Sequence, residues 1–426
     1  MRFEGAKQII STLPVDCRGQ GSVNLGMKIV SEKLSLEEIG YRDKIKDCDV
    51  ILFNIIYPTH IFNMISALHR NNIPIFSRDR TVKVGIGGPA SSLFENRLTD
   101  IVDNVFRGEI EGYFEENIDK HGYYRATNID SKPVVYGPKA MIELTRGCRF
   151  SCAFCEYGCD TGGPYREKPF ELVMEQINEL NGVKAINFLS ANFGAYGSIL
   201  SLLECCAKKN IRVLNTDIAL KDLEKTLPYL KSVRITSLKI GVESFDEPTR
   251  KKIGKTITDE KLFYLISKAI ETCSYLHFYL IYGLPDDNYD NWFRCIKELG
   301  KLRLSITDRP LRFEFSITNF EPCARLKDAP LVDFEQKDAF LLKWVDALKD
   351  AGFYKKDKKV TYGNCRGRHG RKEPSYNLLM SLRNDDNIQD AVAFSYKSGV
   401  SRTISDKKCD RYLSLLSSNN IDVGVE

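Results

Sequence analysis

No stretch of the 426-residue sequence approaches the roughly 20 uninterrupted apolar residues that a membrane-spanning helix needs. The opening MRFEGAKQIISTLPVD lacks the apolar centre of a secretory signal, so a cytoplasmic location without membrane partners is expected. There is no internal repeat and no low-complexity tract. A large excess of one sign of charge is missing too: the formal net charge is +5, which by itself gives no argument for nucleic acid. What is present is ordinary globular material, 43% hydrophobic and 28% charged, at a length that suggests two or three domains. The exception is cysteine. Thirteen of them in a cytoplasmic chain point to metal ligands or reduced thiols before disulfides.

Apolar runs of strand length alternate with helical patterns. In the first third, CDVILFNIIY (48–57) and VKVGIGGPA (82–90) read as strands, and SVNLGMKIVSEKL (22–34) and 62–70 as helices. IVDNVFRGEIEGYF (101–114) reads as a strand running into a helix. Near Pro138 a second series begins. Strands are expected at 139–147, 184–194, 211–220, 235–244, 276–285 and 312–322, and helices at 169–180, 198–210 and 259–270. Such alternation implies parallel sheets with crossover helices, whose ligands sit at the carboxyl ends of the strands. About six βα units in the second series are too few for a closed eight-unit barrel and fit an open, three-quarter one. Glycines after the strand at 82–86 suit either a close ligand approach or a plain turn.

The strand at 139–147 runs directly into LTRGCRFSCAFCEYGCD (144–160), with Cys148, Cys152, Cys155 and Cys159 spaced Cys-x3-Cys-x2-Cys-x3-Cys. Three chemistries compete. Structural zinc prefers four ligands, commonly two separated Cys-x2-Cys knuckles, and only Cys152–Cys155 forms such a pair. A ferredoxin cluster prefers Cys-x2-Cys-x2-Cys plus a remote cysteine, so the first spacing is one residue too long. In the third, Cys148, Cys152 and Cys155 alone hold a [4Fe–4S] cluster, leaving one iron open to a small molecule.

RGCRFSCAFC, placed after the first strand of a partial βα barrel, resembles the radical SAM superfamily. Further segments fall in the family's order: FLSANFG (188–194), without the common acidic pattern; KIGVESFDEPTRKKIGK (239–255); YLIYGLP (279–285); and NFEPCARLKDAP (319–330). The resemblance covers about 139–330. It implies that the three cysteines bind the cluster, that S-adenosylmethionine binds the open iron, and that an electron releases a 5′-deoxyadenosyl radical. It also implies a reducing partner such as flavodoxin or ferredoxin. By position, Phe154, Ser190, Asn192, Glu243, Ser244 and Arg250 are the S-adenosylmethionine candidates, while Cys159 is read as a free thiol or packing residue. Lys255 and Arg250 also have a plain reading as solvated surface charges. Cys205, Cys206, Cys273 and Cys295 sit in apolar patterns and read as core.

Residues 1–137 resemble the cobalamin-binding domain that precedes the barrel in one subclass of that superfamily. The matching segments place Tyr57, Pro58, Thr59, Gly87, Gly88, Pro89, Gly108, Glu109 and Glu111 as candidate corrinoid contacts. The Asp-x-His-x-x-Gly motif that presents histidine to cobalt in methionine synthase-type domains is missing; the nearest run, at Asp119–His121, has Tyr124 in place of the final glycine. The expected fold is therefore α/β: a Rossmann-like cobalamin-binding-type domain at 1–137, a partial (β/α)6 radical SAM barrel at 138–325, and a C-terminal substrate-side extension at 326–426. Cobalamin-dependent methylation of an unactivated carbon is the leading expectation. A radical rearrangement, cyclisation or nucleotide modification, and a non-enzymatic iron–sulfur electron carrier, are the alternatives. No residue is assigned as catalytic acid or base.

One C-terminal feature remains. From Lys355 to Lys372 there are eight Lys/Arg against one Asp, interleaved with tyrosine. Lys355, Arg366, Arg368, His369 and Arg371 could hold an anionic or nucleotide substrate, with a solvated loop as the equal alternative.

Overall fold

In the computed structural model, described residues comprise 9–13, 25–34, 36–40, 44–56, 64–111, 123–126 and 128–353, with short breaks, the longest at 92–97 and 307–310. They form two units, the second beginning at Ile129.

The first unit is a five-stranded, all-parallel sheet. Its strands are β1 (Ile9–Leu13), β2 (Glu37–Gly40), β3 (Val50–Asn54), β4 (Lys83–Gly87) and β5 (Asn104–Val105), in the order β2-β1-β3-β4-β5. The order 2-1-3-4-5 is one of the doubly wound arrangements. Its interior strands are apolar on both faces, as parallel strands covered by helices must be: Ile51, Leu52, Phe53, Val84 and Ile86 are all buried. The strand β1, IISTL, escapes sequence patterning because Ser11 and Thr12 interrupt its apolar run. A small pair, β6 (Arg107–Gly108) and β7 (Tyr123–Tyr124), comes next.

The second unit opens with β8 (Val134–Tyr136), which turns back antiparallel onto β9 (Lys139–Glu143). This pairing carries 129–136 into the second unit, earlier than the expected boundary at 137/138. β10 (Thr145–Arg146) and β11 (Arg166–Glu167) pair across the base of the cysteine loop. Parallel strands then run in chain order: β12 (Ala185–Leu189) beside β9, β13 (Arg212–Val213), β14 (Ser237–Glu243), β15 (Tyr275–Tyr282) and β16 (Arg312–Asn319). A single bridge, Asp217 to Lys239, connects the β13 segment to β14.

β13 is much shorter than the expected 211–220. The Asn215 side chain stops it: its amide donates to the Phe188 carbonyl at 2.6 Å and its carbonyl accepts the Phe188 N–H at 2.8 Å, replacing the backbone ladder. On β14–β16 the alternation is regular. Leu238, Ile240, Val242, Leu276, Phe278, Leu280, Phe313, Phe315 and Ile317 are buried, while the residues between them are mostly half-exposed. The buried face packs on an aromatic core around Trp292 and Trp344, whose rings meet edge to face at 5.8 Å. Trp292 lies on the helix Tyr289–Leu304 and Trp344 on the helix Phe334–Asp350. The latter helix packs against the former, so the second unit runs past the expected boundary at 325/326. Cys206, Cys273 and Cys295 are buried and Cys205 partly so.

Candidate functional site

Four of the thirteen cysteines leave β9 and β10 together. Gly147 starts the loop at φ +72, and any Cβ on it would lie 2.5 Å from the Pro164 carbonyl oxygen, so both conformation and space demand glycine there. The Tyr157 hydroxyl accepts the Gly147 N–H at 3.2 Å and ties the two ends of the loop. From one side the loop is held by the Ala153 N–H on the Ile253 carbonyl at 3.0 Å. From the other, Arg325 N–H reaches the Ala153 carbonyl at 3.2 Å and the Cys323 thiol reaches the Phe154 carbonyl at 3.1 Å. The segments after β14 and after β16 thus fix the positions of Cys152 to Cys155.

The sulfurs differ in what they do. Cys148 Sγ accepts the Phe150 N–H and Cys155 Sγ accepts the Gly158 N–H, each at 3.4 Å. Such bonds stabilise thiolates and tune clusters. The Cys159 thiol instead donates to the Cys152 carbonyl at 3.3 Å, inside the loop. Burial pushes the Cys148 and Cys152 thiols above their ordinary range, the repulsion of Cys155 adds to the rise, and the Lys255 ammonium offsets part of it for both. All three sulfurs therefore lie within electrostatic reach of one another.

Among the described residues no three His, Cys, Asp or Glu side chains gather tightly enough for one metal ion. Tetrahedral zinc would need its sulfurs about 3.8 Å apart, from Zn–S bonds of about 2.3 Å. A cluster, with its thiolates on separate irons, makes no such demand. Three partly exposed thiols, two with N–H donors, plus a fourth thiol turned onto a carbonyl, suit a three-cysteine cluster.

The other expected residues divide. Phe154 lies in the loop, with Lys255 Nζ 5.7 Å from its ring centroid. Glu243, at the end of β14, takes φ +66 and pairs with Lys255 Nζ at 2.7 Å; the same ammonium donates to the Gly241 carbonyl at 2.6 Å. Any Cβ on Gly241 would fall 2.5 Å from Glu243 Oε1 and 2.9 Å from Lys255 Nζ. Lys255 is the residue that sequence reasoning undervalues, as an exposed charge; the signal is its place at the end of the same segment that carries Glu243. Ser190 bonds Thr145 Oγ1 at 2.7 Å beside the start of the loop.

Asn192, Ser244 and Arg250 are placed differently from expectation. Asn192 is committed to Asp222 at 2.6 Å and to the Ala219 N–H at 3.1 Å. Arg250 is fully buried, donating to the Ser244 and Ile257 carbonyls and to Asp259. Ser244, equally buried, donates to Asp287 Oδ1 at 2.7 Å and accepts from the Asp246 N–H and Trp292 Nε1. These side chains are spent on the protein's own turns, Ser244 and Arg250 on the one after Glu243, rather than presented to a ligand. Burial raises the Asp287 carboxyl to about 7, against the opposing pull of Ser244 and Trp292.

In the first unit, Gly87 ends β4 and Gly88 comes directly after it. Gly88 has φ +103, and any Cβ would lie 2.3 Å from Asn54 Oδ1 and 2.8 Å from the Ile55 carbonyl. Close packing on β3 thus already requires glycine. Pro89 and Gly108 are exposed, Glu109 accepts the Ala126 N–H at 2.9 Å, and Glu111 is buried. A cavity of about 660 Å³, bordered by Cys48, Arg80 and Val82, lies at the amino ends of β3 and β4, opposite these glycines. Tyr57, Pro58 and Thr59, and Lys355, Arg366, Arg368, His369 and Arg371, lie outside the described residues.

Known proteins resemble the chain in sequence and in fold. The Radical SAM superfamily profile matches residues 142–299, and that of the N-terminal region of radical SAM proteins matches 23–136. An uncharacterised protein of Methanocaldococcus jannaschii is 23% identical over 87% of this chain and 86% of its own length. A tRNA-2-methylthio-N(6)-dimethylallyladenosine synthase of Thermosipho africanus is 24% identical over 49% of this chain, a match that spans about half (51%) of that enzyme. Among solved structures, the radical S-adenosylmethionine methyltransferase TsrM from Kitasatospora setae superposes with a TM-score of 0.53 at 12% identity, covering 72% of each chain. The chain belongs to the radical SAM superfamily. Membership brings a [4Fe–4S] cluster and S-adenosylmethionine as its cofactors and the need for an electron donor. No helix among the described residues is long and apolar enough to cross a membrane.

Proposed function

We propose that the protein is a radical SAM methyltransferase in which Cys148, Cys152 and Cys155 hold the cluster and the first unit carries cobalamin. The observation that carries the cluster assignment is the split of the four loop cysteines: the Cys159 thiol is spent on the Cys152 carbonyl, while Cys148 and Cys155 accept backbone N–H groups. When bound, the three-cysteine cluster supplies an electron and an open coordination position to S-adenosylmethionine, and cobalamin supplies a methyl carrier. The chain's residues do the rest. Lys255 and Glu243 present adjacent opposite charges, matched to the carboxylate and ammonium of an amino-acid end. Phe154 offers an aromatic face next to them.

Support for cobalamin is threefold. The all-parallel 2-1-3-4-5 sheet is a Rossmann-like order that binds ligands outside its carboxyl strand ends, where Gly87 to Pro89 lie. The first unit matches the N-terminal region of radical SAM proteins. TsrM, of similar fold, has been solved with cobalamin and a [4Fe–4S] cluster bound. In the same reading the run of parallel strands from β9 to β16 is the open, three-quarter barrel of the family. A flavodoxin or ferredoxin would serve as reductant.

The test is anaerobic reconstitution with titanium citrate as reductant. Expected are corrinoid absorbance in the loaded protein and, with substrate, both 5′-deoxyadenosine and S-adenosylhomocysteine. A protein that takes up the cluster but releases 5′-deoxyadenosine alone and never retains a corrinoid would overturn the methylation reading. The Thermosipho relative favours a second reading, methylthiolation. Product mass separates the two, because only the second adds sulfur.

A further inference from the structure

The face of β14–β16 turned away from the aromatic core carries a second set of aromatic and polar side chains, tied at one end by the Tyr275 hydroxyl, which donates to Glu314 Oε2 at 3.0 Å. Three of the four β15 residues on that face are aromatic: Tyr275, His277 and Tyr279, with Ile281 following them. Their rings form a continuous strip, with centroids 6.1 Å apart for Tyr275–His277 and 4.4 Å apart for His277–Tyr279. Polar groups flank it on both neighbouring strands. His277 lies in register with Lys239 on β14 and Glu314 on β16, and Lys239 pairs with Asp217 at 3.5 Å.

Two polar atoms on the strip are uncommitted. His277 Nε2 bonds Ser316 Oγ at 2.7 Å, and among the described residues Nδ1 has no partner. The Tyr279 hydroxyl has none there either, and burial raises it above the ordinary phenol range. Burial also depresses His277, outweighing Glu314 and Asp217, which favour its charged form, while Lys239 and Arg312 oppose it. The imidazole is thus held neutral, with one donor and one acceptor nitrogen. Tyr279 is in register with Gly241, whose carbonyl receives Lys255. The end of the strip therefore lies one strand spacing, about 4.8 Å, from the residue that anchors the Lys255–Glu243 pair.

We propose that this strip is the substrate platform and that it takes a planar heteroaromatic ring, stacked on His277 and Tyr279 and hydrogen-bonded by His277 Nδ1 and the Tyr279 hydroxyl. The assignment rests on the radical SAM reading. An aromatic strip favours a flat ring over an aliphatic chain, since stacking operates only on a π-face. Neutral donors and acceptors favour ring nitrogens and carbonyls over an anion. Placed there, the ring sits beside the Lys255–Glu243 pair, where S-adenosylmethionine would be held.

The test uses full-length protein with its cluster reconstituted and S-adenosylmethionine saturating, without reductant, so that adenine-binding positions are already filled. Indole, guanosine and cytidine are titrated by calorimetry, with cyclohexylalanine as the non-planar control. At least one planar probe should bind where cyclohexylalanine does not. Tyr279→Ala and His277→Ala should each weaken it about tenfold or more, and Tyr279→Phe, which keeps the ring, by less. Iron content confirms that each variant is folded. Absence of binding by all three planar probes, equal binding of cyclohexylalanine, or indifference to both alanine substitutions would overturn the proposal. Failure of the radical SAM reading would show separately, as absent S-adenosylmethionine cleavage on adding reductant.

Discussion

The loops after β4 and β9 begin alike. Gly88 takes φ +103 against Asn54 and Ile55; Gly147 takes φ +72 against Gly163 and Pro164. Each leaves the carboxyl end of a parallel strand or its short continuation, and each glycine is required by the protein's own packing. Beyond the glycine the two loops differ. After Gly88, the Ser91 hydroxyl is spent on the Gly88 and Phe106 carbonyls, both at 2.8 Å. After Gly147 come four sulfurs: Cys159 is spent on the Cys152 carbonyl, while Cys148 and Cys155 meet only weak N–H contacts. In both loops the glycine at the strand end is a demand of packing; what the loop then does is decided by the side chains beyond it.

Substitutions can break this contrast, beginning with the largest effect. Cys148→Ala, Cys152→Ala or Cys155→Ala should remove the cluster's iron and visible absorbance and reduce S-adenosylmethionine cleavage by about 100-fold or more, whereas Cys159→Ala keeps both. Equal loss in Cys159→Ala would merge the four thiols into one ligand set. Next, Gly88→Ala should destabilise the first unit by about 2–4 kcal/mol, from positive φ plus a backbone clash. Gly137→Ala, at φ +60 with nothing within 4 Å, should cost only about 1 kcal/mol in the same thermal melts. Lys255→Met should weaken S-adenosylmethionine binding about 10- to 100-fold, roughly 1.4–2.8 kcal/mol, with iron content unchanged.

A further effect is conditional on pH. The Asp287 carboxyl titrates at about 7 in the folded state against 3.8 ordinarily, so folding holds its proton more tightly. Its contribution to stability is therefore full below about pH 4 and declines as pH rises to about 7. Asp287→Asn carries no such proton. Its melting temperature relative to the parent should climb between about pH 4 and 7 and then level off, by the equivalent of a few kcal/mol at most. A flat difference would place Asp287 in water rather than against Ser244 and Trp292.

How much of the molecule is legible in its sequence depends on the range of the forces involved. The cysteine loop and its entering strand are contiguous, and their spacing alone narrows the chemistry to a few metals. Helices such as Phe170–Glu179 and Asp259–Thr272 announce themselves by amphipathic period. Long-range substitutes stay hidden. Asn215 ends β13 by imitating a backbone across the sheet, and no local pattern records that. Arg250 and Lys255, five residues apart, look equivalent in sequence. One is wholly enclosed by carbonyls and Asp259, and the other leans over Phe154, a difference that only tertiary packing creates. The Tyr275–His277–Tyr279 strip reads simply as part of a strand, since its alternation reports a face without saying what the face confronts.

Gly241 has a consequence of its own. The missing side chain is the socket in which both ends of the Glu243–Lys255 pair are seated, with Oε1 and Nζ each closer to the vacant Cβ position than a methyl group allows. A single added carbon at that position would make both tips move together, and because each is the far end of a flexible side chain the vacancy sets where acid and base meet, not whether they do.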